Sequence, residues 1–292
     1  MSDEGNDDYM NIDEPNGSSA PITHHSSLPL SKWPHGHRAA LIVSIDVDGI
    51  YGEGNHRGYD DFYWRSQTEY DLASGVPRLL DLLRDREVSS TFCWVGSCVE
   101  DRPDLVERAQ AEGHESSIHS WDHRYYSPMP FIEQAMDAKR TIEVIEQVTG
   151  VRPVGHKTPA WRYNDDTAAV MQSLGLRWIM DVARGDLPWV EWPNPLGAPI
   201  VQLPPSRFYD DYTYFVDQTV TPRHTAEFWR DDLDVLREEG KLMCLTLHPW
   251  VSGRPGPSRA LAHLLDYAID SGDVWIARAD QVAEWWLEHG AE

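Results

Sequence analysis

The sequence predicts an α/β protein built on a single (β/α) barrel, distorted or incomplete, behind a disordered N-terminal tail. Three observations carry this expectation. Apolar runs of strand length alternate with helix-period segments from residue 39 onward, and six to eight parallel βαβ units favour a closed or nearly closed barrel over an open sheet. The 292 residues accommodate one barrel of about 200–250 residues plus a tail. Several predicted strands also end in carboxylates or imidazoles, and a barrel collects its functional residues at those C-terminal strand ends.

Residues 1–37 are rich in Ser, Asn, Asp, Pro and Gly without a period of two or 3.6, and are expected to be a flexible acidic tail; residues 38–292 form the folded unit. The first strand begins at Ala39 and runs straight into Asp46-Val47-Asp48-Gly49. Tyr51 to Tyr70 is polar, Gly-rich and expected to be irregular. Pro77 opens a helix carrying Leu79, Leu80, Leu82 and Leu83, and Ser90–Val95 is the second strand. A helix over Pro103–Glu112 precedes a short strand at Glu115–His119, and Phe131–Val148 is a long amphipathic helix. Val154–Lys157, a helix from Asn164 to Leu174 and Trp178–Asp181 continue the alternation. Pro188–Pro222, rich in Pro, Trp and Tyr, interrupts it as an irregular insertion. A helix at Ala226–Glu239, the strand Leu242–Leu247, then Ser258–Ser271, Val274–Ala277 and Gln281–Glu288 complete the pattern.

Composition narrows the function. With 41% hydrophobic residues, 13 Trp and 12 Tyr, the chain has ample apolar surface for a core. Its 48 acidic against 25 basic residues give a formal charge of −23, which repels phosphate backbones and argues against nucleic-acid binding. Cys93, Cys98 and Cys244 have no zinc-thiolate spacing and read as buried thiols of a reducing compartment. Asp3, Glu4, Asp7 and Asp8 stand where a secretion signal would be basic, and no run approaches ~18 apolar residues, so a cytoplasmic protein without a membrane span is expected.

The strand ends carry the chemistry. Asp46 and Asp48, at i and i+2 on extended backbone, point to the same face. Paired carboxylates in one pocket persist when a cation lies between them or one holds a proton; either residue alone could instead cap a turn. In His119-Ser120-Trp121-Asp122-His123 two imidazoles four residues apart can converge on one cation from a helical turn or a tight loop, and with one early Asp they make a facial triad with open positions. Asp122 reads as a cap or a partner behind the ligands. His248-Pro249 places an imidazole at the barrel mouth, and Gly155-His156-Lys157-Thr158-Pro159-Ala160-Trp161 is a strand entering a Pro-stiffened loop.

These segments, in this order over roughly residues 38–290, resemble the polysaccharide deacetylase superfamily, the NodB homology or carbohydrate esterase family 4 fold. Asp46-Val47-Asp48-Gly49 is similar to its first motif, whose first Asp is the catalytic base and second a metal ligand. His119 and His123 match its His-x-x-x-His ligands, and His248 the catalytic histidine of Leu-x-x-His-Pro. Lys157 stands where the family's Arg-x-Pro-x-Trp motif has Arg, and one residue separates Asp46 from Asp48 where typical sugar deacetylases have none. Both departures, with Phe208-Tyr209-Asp210-Asp211 and the run from His248 to Pro255, resemble the branch of peptidoglycan-deacetylase-like proteins and cofactor-independent allantoinases, which is cytoplasmic and tends to oligomerise.

The resemblance implies a divalent-metal hydrolase acting on a C–N amide bond. Asp48, His119 and His123 would hold the metal, Zn²⁺ first, with Co²⁺ or Mn²⁺ as alternatives. Asp46 would act as base and His248 as acid. Lys157, Ala160, Trp161 and Arg254 are candidate substrate-binding residues, with backbone N–H groups near Ala160 facing the oxyanion and the Arg254 fork taking a carboxylate or carbonyl, or else forming a surface ion pair. Asp181 would orient a catalytic side chain or cap a helix. The aromatic-rich stretches Tyr51–Tyr70 and Trp189–Tyr214 suggest a roofed site, so a small or cyclic amide is the expected substrate, an N-acetylated amino sugar of peptidoglycan or chitin the alternative, and a non-catalytic binding module the third reading. A homo-oligomer with small-molecule partners, no nucleic acid and no membrane completes the expectation.

Overall fold

The computed structural model describes residues 32–290. Its strands are β1 (Ala39–Val47), β2 (Thr91–Trp94), β3 (Glu115–Ile118), β4 (Gly155–His156), β5 (Trp178–Ile179), β6 (Trp189–Glu191), β7 (Ile200–Gln202), β8 (Leu242–Leu247) and β9 (Val274–Ala277). They form one sheet in the order β6-β7-β5-β4-β3-β2-β1-β8, with β9 against β1, and every pair is parallel except β6 with β7. β8 follows one edge of β1 over Ala40–Ile45; the other edge is shared by β9 at Ala39–Ile42 and β2 at Ser44–Val47. The path does not close. Among the described residues the far edge of β8 meets the segment after β7 only at one parallel bridge, Asp210 to Thr246, so the barrel is incomplete.

The helices are α1 (Tyr51–Arg57), α2 (Phe62–Thr68), α3 (Val76–Arg84), α4 (Gly96–Asp101), α5 (Pro103–Ala111), α6 (Phe131–Thr149), α7 (Thr167–Ser173), α8 (Pro222–Glu239), α9 (Pro249–Ser252), α10 (Pro257–Ser271) and α11 (Ala279–His289). Pro in the first turn starts α3, α5, α8 and α10, where the missing N–H would be unbonded anyway. Gly150 and Gly240 end α6 and α8 in the left-handed conformation. No helix among the described residues is long and apolar enough to cross a membrane.

The period-two rows of β1 explain both core and site. Leu41, Val43, Ile45 and Val47 face outward into the main core, packed against the helices. Ala40 and Ile42 face inward with Cys93, Trp178, Met180, Val201 and Cys244, filling the lower barrel. The same inward row continues as Ser44, Asp46 and Asp48, so the interior turns from apolar to ionic along a single stretch of chain.

The structure revises the sequence expectations at three places. Residues 1–31 of the expected tail lie outside the described residues, and Trp33, placed in that tail by composition, is buried in the lower core, its ring 5.6 Å from Trp286 and 6.2 Å from Trp275. One apolar residue has no period to read, so composition hid it. Tyr51–Tyr70 is largely helical, because Gly52 lets α1 approach Asp48, where an added Cβ would lie 2.9 Å from the Asp48 Cβ, and because Asp61 caps α2 at the Trp64 N–H. The insertion after residue 188 supplies β6 and β7, whose antiparallel pairing adds an edge to the sheet.

Candidate metal centre and active site

At the C-terminal strand ends lies a cavity of about 610 Å³ lined by Asp46, Asp48, His119, His123, Lys157, Ala160, Trp161 and His248 among others. Sequence-predicted residues from β1, β3, β4 and β8 thus meet in one place.

His119 follows β3 and is pinned by its N–H to Trp94 O at 2.9 Å. Ser120 and His123 adopt positive φ of 60° and 59°, folding residues 119–123 into a tight loop rather than a helical turn. That strained backbone persists because the loop is clamped: Gly96 and Ser97 donate to the Ser120 and Trp121 carbonyls, and the Trp121 N–H donates to Asp137 Oδ1 at 3.0 Å. Asp122 accepts from Ser97 Oγ and so supports the loop from behind. The two imidazoles end with ring centroids 5.1 Å apart.

His119 Nδ1 lies 2.6 Å from Lys157 O, and a carbonyl only accepts, so Nδ1 carries the proton. Burial outweighs the pull of Asp46 and Asp48 and brings this imidazole down to about 4, so it is neutral and its Nε2 presents a bare lone pair. That lone pair faces Asp48 Oδ1 at 3.5 Å; His123 Nε2 stands 3.5 Å from the same oxygen, which is buried with no hydrogen-bond partner among the described residues. Burial pushes Asp48 up to about 6, against the pull of His248 and His119. The bare His119 lone pair and the orphaned Asp48 oxygen repel unless a cation lies between them, and the ligand atoms of Asp48, His119 and His123 fall within 4.8 Å of one another. The donor set fits a divalent ion. Asp210, Asp211 and His248 form a second such group, but there His248 Nδ1 is already engaged by Asp211.

Asp46 is held differently. Lys157 Nζ sits 2.7 Å from its Oδ2, and also donates to Thr246 Oγ1 at 2.9 Å and Ser44 Oγ at 3.3 Å, which uses all three N–H groups. Burial would raise the Asp46 carboxyl, but Lys157, then His119 and His248, outweigh it and hold it at about 2. Lys157 is itself buried at the cavity wall, where its ammonium neutralises Asp46.

His248 follows β8. Asp211 accepts from its backbone N–H at 2.9 Å and from Nδ1 at 2.7 Å, with Asp210 3.8 Å from Nδ1. Burial opposes protonation, yet Asp211, Asp48 and Asp210 together hold the imidazole well above its ordinary value. The site therefore sets a carboxylate and an imidazolium about the neutral His119.

Of the other predicted residues, Ala160 and Trp161 line the cavity with left-handed φ of 50° and 52°. Asp181 accepts from Thr158 N–H and Oγ, both at 2.7 Å, and so anchors that strained turn. Arg254 does not line the cavity. Its guanidinium donates to Trp250 O and Gln67 and lies over the Tyr70 ring at 3.9 Å, joining the turn after α9 to the end of α2 and the segment that follows. Asp211, Tyr212, Glu53 and Arg57 were not recognised from sequence; Asp211 lies 37 residues before its partner on the insertion, and the Asp210-Asp211 pair was its single visible trace.

A model of the family "Polysaccharide deacetylase" matches residues 58–179. A solved structure from Mycobacterium smegmatis, assigned to the polysaccharide deacetylases, is 30% identical, covers 86% of this chain and 91% of its own, and superposes with a TM-score of 0.81. The chain belongs to the polysaccharide deacetylase family. A peptidoglycan deacetylase from Helicobacter pylori is 23% identical over 74% of this chain and 85% of its own. The Puue allantoinase structure covers 95% of this chain and 98% of its own at 24% identity and a TM-score of 0.81, a likeness of fold. Family membership makes the chain one of the hydrolases that act on C–N bonds.

Proposed function

We propose that this chain is a metal-dependent N-deacetylase of acetylated amino sugars, with residues 38–292 as its catalytic unit. Asp48, His119 and His123 would hold a divalent cation, zinc before cobalt or manganese, which when bound supplies Lewis acidity to a carbonyl and a more acidic water. Asp46 accepts the proton of the attacking water. Lys157 keeps it ionised, so its lone pairs are free to receive that proton. His248, kept protonated by Asp211, gives a proton to the departing nitrogen. The left-handed turn at Ala160, anchored through Asp181, leaves the Ala160 N–H for the developing oxyanion, those of Thr158, Trp161 and Arg162 being engaged within the fold. Together these steps exchange an acyl–nitrogen bond for an acyl–oxygen bond.

The observation that carries this reading is the meeting in one cavity of Asp46 held by Lys157 at 2.7 Å, His248 held by Asp211 at 2.7 Å, and the Asp48, His119 and His123 group. The choice of substrate leans on the relatives: those similar in sequence are named for peptidoglycan or polysaccharide deacetylation, whereas the allantoinase likeness concerns fold. This reverses the order expected from sequence. A small or cyclic amide stands second, favoured by a cavity walled by Tyr125, Trp161, Tyr212 and Trp250. A cytoplasmic location is supported by three buried free thiols, Cys93, Cys98 and Cys244. Acetate released from N-acetylglucosamine oligomers by the zinc-loaded protein supports the first reading; turnover of cyclic amides alone overturns it in favour of the second.

A further inference from the structure

The charged side chains of the cavity wall pair off almost completely. Lys157 meets Asp46 at 2.7 Å, Arg57 meets Glu53, Arg207 meets Asp217 at 3.8 Å, and His248 meets Asp211 at 2.7 Å. Arg162 lines the same wall and has no carboxylate within 4.0 Å among the described residues, although the chain carries 48 acidic residues. It is also the wall arginine tied most closely to the catalytic turn. Its N–H donates to Pro159 O at 3.0 Å and its carbonyl accepts from Ser127 N–H at 2.6 Å, so its backbone is fixed on both sides beside Ala160 and Trp161. Its charge reaches Tyr125, another wall residue, where it opposes the rise that burial imposes on the phenol.

We propose that Arg162 receives a carboxylate of the substrate, so that the site prefers N-acylated compounds bearing an acidic group near the scissile amide over neutral ones. The inference rests on the reading of this cavity as the site of N-acyl hydrolysis. A guanidinium fork matches a carboxylate with two parallel hydrogen bonds. Arg162 thus takes the part that the sequence suggested for Arg254, whose fork is occupied within the fold.

N-acetylglucosamine and its 3-O-lactyl ether differ by one carboxylate and form the test pair. The zinc-loaded wild type, Arg162→Gln and Arg162→Lys are compared by kcat/KM for each compound and, independently, by calorimetric Kd. The wild type is expected to favour the lactyl ether, Arg162→Gln to reduce that preference about ten- to hundredfold, and Arg162→Lys to keep part of it. Equal handling of the two compounds by the wild type, or a preference that survives in Arg162→Gln, overturns the proposal while leaving deacetylation standing. If neither compound is hydrolysed but the lactyl ether still binds more tightly and Arg162→Gln removes the difference, the anion site stands and the deacetylase reading falls.

Discussion

Replacing Lys157 by Met keeps the unbranched apolar stem but ends it one atom short, without the ammonium, leaving Asp46 buried without its nearest partner. A carboxyl brought from 3.8 to about 2 in the fold is stabilised as an anion by roughly 2–3 kcal/mol, at 1.36 kcal/mol per pH unit. Because the folded value is depressed, this contribution is complete above pH about 4 and disappears as pH falls toward 2. Lys157→Met removes it and leaves the burial of Asp46 unopposed at close range, so a loss of about 3–5 kcal/mol is expected at pH 7. The deficit should shrink toward pH 4, where Asp46 can take up a proton instead. Urea unfolding at both pH values, with Asp46→Asn and the double variant completing a cycle, measures this directly. The double variant should be more stable than Lys157→Met alone, with a coupling of about 2–3 kcal/mol. A Lys157→Met protein as stable as wild type at pH 7, or strictly additive losses in the double variant, would refute the pairing of these two groups as the reason Asp46 stays ionised.

Chelation should abolish hydrolysis and zinc restore it, with His119→Ala and Asp48→Asn losing metal while Asp46→Asn and His248→Ala retain it; elemental analysis of each variant decides the ligand set. Metal affinity should weaken as pH falls through about 6, since Asp48 must lose a proton before it can ligate, and competitive titration with a chelator across pH 5–8 follows this. Asp211→Asn should lower kcat about 10²-fold and shift the alkaline limb of the pH–rate profile to lower pH, because a neutral amide no longer holds the His248 proton. Trp33→Ala should cost about 3–5 kcal/mol by calorimetry, whereas deleting residues 1–31 should leave the melting temperature nearly unchanged.

What could be read from sequence follows from how local each feature is. β1, β8 and α6 announce themselves by period, and Asp46, Asp48, His119, His123 and His248 by their places at strand ends. The partners that set their protonation states come from distant segments. Asp211 reaches His248 from the insertion, Lys157 reaches Asp46 across the barrel, and Asp181 works on a turn 23 residues before it. No periodicity encodes such meetings. Arg254 misled for the same reason. Its nearness to His248 along the chain says less than its contacts with Gln67 and Tyr70, which come from a segment about 185 residues earlier and engage the guanidinium.

Asp46 lies in β1 and Asp48 directly follows its last residue, and this has a mechanical consequence. Two residues of extended chain separate them by about 6.6 Å along a stiff rod, so any tilt or slide of β1 carries the proton acceptor and the cation ligand together. The imidazoles hang from separate loops: His119 and His123 from the clamped turn after β3, His248 from the end of β8 beneath the insertion. Thermal or pressure-driven distortion therefore leaves the spacing between acceptor and ligand nearly constant and shows first in the gap between Asp46 and His248. The part of the machinery that loosens earliest is proton delivery to the leaving group, so substrates with good leaving groups should keep their turnover at temperatures where poor ones have already lost it.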